Sequence, residues 1–113
     1  MSIKGGSYAR FQRALDSGNL VAVRMAALEL PYVNLADALA VCLLMRRQRD
    51  ERFERAAVRW LGRLSLERPE VTLAQLRDAA TALQALPSAA ARESLAELGA
   101  QLRLPDVPRI LRD

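Results

Sequence analysis

Leu28-Glu-Leu-Pro-Tyr-Val33, Leu66-Glu-Arg-Pro-Glu-Val71 and Leu102-Arg-Leu-Pro-Asp-Val107 are three copies of one phrase, L-x-x-P-x-V, set 38 and 36 residues apart in a chain of 113. Three of the five prolines carry both neighbours. A period near 37 without alternating apolar and polar runs marks an array of helix hairpins. The repeat extends past the phrase. Pro31-Tyr-Val-Asn-Leu-Ala36 matches Pro69-Glu-Val-Thr-Leu-Ala74, and Leu61-Gly62 matches Leu98-Gly99. The two glycines fall inside helical stretches, where each costs about 1 kcal/mol against Ala. Close helix–helix approach is the expected return.

Six helices follow from apolar spacing and punctuation, as three pairs over residues 8–17 and 20–30, 35–48 and 51–67, and 73–86 and 89–103. Tyr8, Phe11 and Leu15 repeat at helical spacing. Gly18 stops the first helix and Asn19 caps the second. Pro31, Pro69 and Pro105 end the second helix of each pair, because the residue before proline is pushed out of helical geometry. Asn34 caps the third helix, with Asp37 in its first turn. Asp50 caps the fourth, Thr72 and Gln75 have capping-box spacing, and Pro87-Ser88 makes the last turn and cap. The segment Leu35 to Met45 carries Asp37 as its one charge, so it is expected to be the central helix, buried on most sides. Phe53, Ala57, Trp60, Leu61 and Leu64 form the next stripe. Leu73, Leu76, Ala80, Leu83 and Leu86 are expected to face inward, as are Ala91, Leu95, Leu98 and Leu102. The fold class is therefore all-α: six helices as three antiparallel αα-hairpins in a short right-handed superhelical stack. Residues 1–7 read as a flexible N-terminal segment, 8–105 as one repeat domain, and 106–113 as a C-terminal tail that begins like a fourth repeat and either folds over the open end as a cap or frays.

Antiparallel helix pairs with proline heading each repeat resemble the HEAT-type and related α-solenoid repeats. The segment Asp50-Glu-Arg-Phe-Glu-Arg-Ala-Ala-Val-Arg-Trp-Leu-Gly-Arg-Leu64 is similar to a second HEAT helix, with Ala57, Leu61, Gly62 and Leu64 carrying an A-x-x-x-L-G-x-L pattern. The resemblance is one of architecture over residues 8–107. It implies a binding scaffold, in some cases for nucleic acid. The tetratricopeptide signature is absent, although Trp60-Leu61-Gly62 echoes a piece of it.

Charge placement says more than the net +4. Residues 46–68 hold eight Arg against four acids, so the whole excess sits mid-chain. At 100° per residue Arg52, Arg55, Arg59 and Arg63 fall on one flank of a helix, and Arg46, Arg47 and Arg49 add charge at the end of the preceding one. These seven form a candidate ridge for phosphates or carboxylates, since guanidinium forks suit both. The competing reading is a solvated flank, with Arg46 and Arg47 answering the helix C-terminus and Glu51 pairing with Arg55. Tyr32 is the one loop aromatic available for stacking; Phe11, Phe53 and Trp60 lie on core stripes.

Catalysis has little to draw on. The chain has no His, and its single Cys, Cys42, lies in an apolar helix that hides a thiol and raises its pKa. Asp37, Asp50 and Asp78 read as caps or surface charges. No phosphate loop, dinucleotide fingerprint or zinc spacing occurs. No enzyme activity, cofactor or metal is expected. The small residues Ala89, Ala90, Ala91, Ala96, Gly99 and Ala100 suit close docking of the last helix, onto a second copy for example. The N-terminus lacks the apolar core of a signal peptide, and the longest apolar run, Ala38 to Met45, is far too short to span a membrane. A cytoplasmic protein-interaction module that meets a protein partner or a second copy is the leading expectation. A phosphate-led DNA- or RNA-binding module is the alternative, and no membrane is involved.

Overall fold

The computed structural model describes residues 3–112 and is all-helical, with no strand among those residues. Seven helices are present among them where six are expected: α1 Ile3–Ser17, α2 Leu20–Leu28, α3 Leu35–Arg47, α4 Phe53–Glu67, α5 Leu73–Ala85, α6 Ala89–Gln101 and α7 Val107–Arg112. The expected flexible segment 1–7 is helical from Ile3; Met1 and Ser2 lie outside the described residues, as does Asp113 of the tail. Residues 107–112 of that tail form α7. The chain divides into two compact units, Met1–Asn34 and Leu35–Asp113.

The first unit is the α1–α2 hairpin. Gly18 adopts φ 74°, the left-handed turn that a side chain resists, and the Asn19 side chain accepts from the Ala22 amide at 3.1 Å. Phe11, Ala14, Leu20, Val23 and Ala26 are buried. Tyr8 is exposed and stacks its ring on Phe11 at 6.3 Å. Arg10 forms an ion pair with Glu29 that ties α1 to the end of α2.

The second unit is built around α3. None of residues 35–45 is exposed. Helix α4 covers one side with Phe53, Ala57, Trp60 and Leu64, the expected stripe. The buried Trp60 indole donates to the Leu35 carbonyl at 2.8 Å, fixing where α4 crosses the start of α3. Asp37, read from sequence as a cap or surface charge, is buried in the first turn. Helix α5 begins at the expected capping box of Thr72 and Gln75, with bonds of 3.0 and 2.9 Å. Its buried line is Ala79, Ala82, Leu83 and Leu86, so Leu73, expected inward, is 86% exposed. Both lines satisfy helical spacing. The alanine line lets the backbone of α5 lie close to its neighbours α4 and α6. Ser88 caps α6 as expected, and Ala91, Leu95, Leu98 and Leu102 are buried.

Helix α7 packs on α6 and on α3. Val107 and Leu111 are fully buried. A Cβ on Gly99 would lie 2.6 Å from Val107 Cγ1, so the small-residue face of α6 serves close docking of the chain's own α7. Arg112 holds the outer side through a two-pronged bond to Glu93 at 3.1 and 2.7 Å, which lowers the Glu93 pKa. The matching glycine of the repeat behaves differently: Gly62 is exposed and nothing lies within 4 Å of its added Cβ.

The helix exits are closed by two long-range arginines. Arg46, at the end of α3, donates to the Leu86 and Gln84 carbonyls at 3.0 and 2.9 Å. Arg68, just past α4, donates to the Leu102 and Arg103 carbonyls at 2.9 and 3.2 Å. Each places a cation on the unpaired carbonyls at the end of the helix two places along the chain, α5 and α6 respectively.

The two repeat glycines therefore respond to the same substitution with opposite sign. Gly62→Ala is expected to raise stability by about 0.5–1 kcal/mol, since only helix propensity changes. Gly99→Ala is expected to lower it by about 1–3 kcal/mol through overlap with Val107. Paired urea denaturation curves give both values.

Candidate functional site

The seven arginines of the expected ridge differ in how the fold engages them. Arg46 is engaged at the end of α5, and its guanidinium also lies 5.0 Å from the centre of the Phe53 ring. Arg52 precedes α4 and closes a two-pronged bond on Asp50 at 2.9 and 2.6 Å. Asp50 also accepts from the Arg52 amide at 2.8 Å, so it organises the turn before α4 and does not cap a helix starting at 51. Arg63 is half-buried and bonded to Glu67 at 3.0 Å. Three members of the ridge thus have structural partners.

The other four are exposed: Arg47 in the last turn of α3, Arg49 in the following turn, and Arg55 and Arg59 one turn apart on α4. No carboxylate lies within ion-pair distance of any of them among the described residues. The Glu51–Arg55 pair open to a helix does not form, because Glu51 lies before α4 begins. Arg49 sits at φ 55°, in a left-handed turn where the Asp50 amide reaches back to the Met45 carbonyl at 2.9 Å. Arg55 and Arg59 flank the exposed Val58 in a shallow depression also lined by Glu51, Arg52 and Glu54. Two acids at that rim dilute the field of the arginines.

A second surface was not singled out from the sequence. Helix α2 reads Leu20-Val-Ala-Val-Arg-Met-Ala-Ala-Leu28, with Arg24 its one charge. Its inner face buries Leu20, Val23 and Ala26. Its outer face leaves Val21 67%, Met25 65% and Leu28 87% exposed, and Tyr32, just beyond, 59%. Val21, Met25 and Leu28 fall at i, i+4 and i+7, one apolar stripe along the helix, and Tyr32 lies in the loop that follows. The signal was available: a helix apolar all round has a second face to cover. Scattered exposed apolar residues are ordinary, whereas a contiguous row marks an interaction surface.

Other features carry less chemistry. A groove of about 380 Å³ runs between α5 and α6 over Ala82, Ala85, Ala90 and Ala91, with Asp78 and Glu97 at its edges. Among the described residues no group of three or more His, Cys, Asp or Glu side chains could hold a metal ion. No helix among them is long and apolar enough to cross a membrane. Cys42 is buried as expected, and burial pushes its thiol pKa up to about 11. No protein-family model, curated protein or solved structure matches this chain.

Two outcomes follow from these placements. Arg46→Gln is expected to cost about 1–3 kcal/mol by leaving the end of α5 unanswered, while Arg55→Gln stays within about 0.5 kcal/mol of the parent in chemical denaturation. The Cys42 thiol holds its proton more tightly folded than unfolded. Its contribution to stability is therefore full below the ordinary thiol value of 9.0 and is lost as pH rises toward about 11. Cys42→Ala is expected to flatten that part of the stability–pH curve, and a thiol reagent at pH 8 is expected to label the folded parent only as fast as the protein opens.

Proposed function

We propose that this chain is a small non-catalytic protein-interaction module of HEAT-like α-solenoid type, working in the cytoplasm through the outer face of α2. The observation that carries the reading is the row of Val21, Met25 and Leu28, left open to water on a helix with one charge, with the exposed Tyr32 in the loop just beyond. Three helix pairs with L-x-x-P-x-V at each exit support the solenoid reading of three hairpins in a right-handed stack. Arg46 and Arg68 support it as well. Each bridges from one helix to the second helix along, at nearly the repeat period.

A second reading is favoured by one observation. Arg47, Arg49, Arg55 and Arg59 are exposed without carboxylate partners, which suits phosphate-led, sequence-poor binding of DNA or RNA. It is the weaker reading, because Arg46, Arg52 and Arg63 are held by the fold and the depression at Arg55 and Arg59 includes Glu51 and Glu54.

Fluorescence anisotropy with labelled single- and double-stranded oligonucleotides, at about 50 and about 200 mM salt, separates the two. The expected result is no binding at the lower salt. Micromolar binding that collapses at the higher salt, and that is lost in Arg55→Gln/Arg59→Gln but kept in Met25→Glu, overturns the protein-interaction reading.

A further inference from the structure

We infer that the occupant of the outer face of α2 is a second copy of the same chain, docked with its α2 parallel to the first. This rests on the reading of that face as an interaction surface, and it adds the partner and the register. Val21, Met25 and Leu28 are spaced four and three residues apart, the d-a-d pattern of a helix seam, and Tyr32 lies in the loop beyond its end. A seam of this kind is self-complementary under a two-fold axis, so an identical stripe covers it without any further surface.

The flanking charges choose the orientation. Arg24 immediately precedes Met25, and Glu29 immediately follows Leu28. In seam terms they occupy g and the following e, on opposite flanks of the apolar row. When two such helices lie parallel, g of one copy meets e of the other five residues on, so Arg24 of each copy faces Glu29 of its mate. An antiparallel pair sets Arg24 against Arg24 and Glu29 against Glu29, two repulsive contacts. Charge complementarity therefore selects the parallel dimer. Glu29 already receives Arg10 from its own chain, and a carboxylate has room for a second guanidinium. The stripe is short, about two turns, and sits at the low end of interface sizes. The dimer is accordingly weak, with a Kd of order micromolar or above.

Sedimentation equilibrium of the full chain from about 1 to about 500 µM tests this over the range that such a Kd requires. The expected result is a monomer–dimer equilibrium, lost in Met25→Glu with unchanged far-ultraviolet circular dichroism, as befits an exposed site. Arg24→Glu alone is expected to weaken the dimer about threefold to tenfold, as is Glu29→Arg alone, and the double exchange restores it. On oxidation Leu28→Cys is expected to form a covalent dimer, because only in the parallel register do equivalent d positions meet within disulfide reach; the parent chain, with Cys42 buried, is the control. A parent that stays monomeric throughout overturns the dimer and leaves the face to a different protein. A dimer indifferent to Met25→Glu places the contact elsewhere, and one that the charge exchange fails to restore, or that Leu28→Cys does not cross-link, overturns the parallel register. None of these failures touches the choice between protein and nucleic acid, which the anisotropy measurement decides.

Discussion

Helix α3 turns little of its apolar length to water, and that constraint organises the second unit. From Leu35 to Met45 no residue is exposed, so neighbours must close over the helix on every side. Helix α4 supplies the widest cover through Phe53, Ala57, Trp60 and Leu64, and the indole bond to Leu35 sets its height along α3. Cover on another side comes from α7, the shortest helix and the last. Six residues cannot form a stable helix alone, so α7 exists by virtue of what it covers. Gly99 is the condition for its approach, since any side chain there would hold Val107 off.

Much of this was legible in particular residues. Gly18, Asn19, Thr72, Gln75 and Ser88 each do what their chemistry suggests, because turn and cap bonds involve only near neighbours. The burial of residues 35–45, of the Phe53–Trp60 stripe and of Cys42 was legible too, because a run with one charge has nowhere else to go. The errors come where two local patterns are equally good. Leu83 and Leu86 are buried as expected, but Leu73, Leu76 and Ala80 and, alternatively, Ala79 and Ala82 both make helical lines with them, and only the packing of α5 on α4 and α6 selects the second. Likewise Gly62 and Gly99 occupy matching places in the repeat, yet only Gly99 has a helix folded onto it. The proline phrase at 102–107 read as the start of a tail. Nothing local shows that Val107 and Leu111 would be drawn under by α6 and α3.

The arginines show the same limit in electrostatic form. A helical wheel places Arg52, Arg55, Arg59 and Arg63 together because it knows angles and not partners. Asp50 and Glu67 take the two ends of that row, through bonds that depend on where α4 starts and on one turn of spacing. The farther engagements of Arg46 and Arg68 involve carbonyls some 35 to 40 residues away. A guanidinium with five donors satisfies several carbonyls at once and keeps part of its surface in water. Exposure alone therefore does not identify a free cation. What remains for a ligand is the subset with no acceptor nearby, and it is smaller than the composition of residues 46–68 suggests.

The two most apolar helices, α2 and α3, make the functional argument by contrast. Each carries a single acid or base outside its last turn and each is apolar nearly all round. For α3 the chain returns to close the second side with α7. For α2 the sequence before Leu35 offers only α1, which packs one face and leaves Val21, Met25 and Leu28 bare. The same transfer free energy that draws Val107 and Leu111 onto their neighbours acts on those side chains, at about 25 cal/mol for each Å² removed from water. Within the first unit no further helix is present to meet it. The second copy proposed for this face would do for α2 what α7 does for α3, with the difference that it could leave.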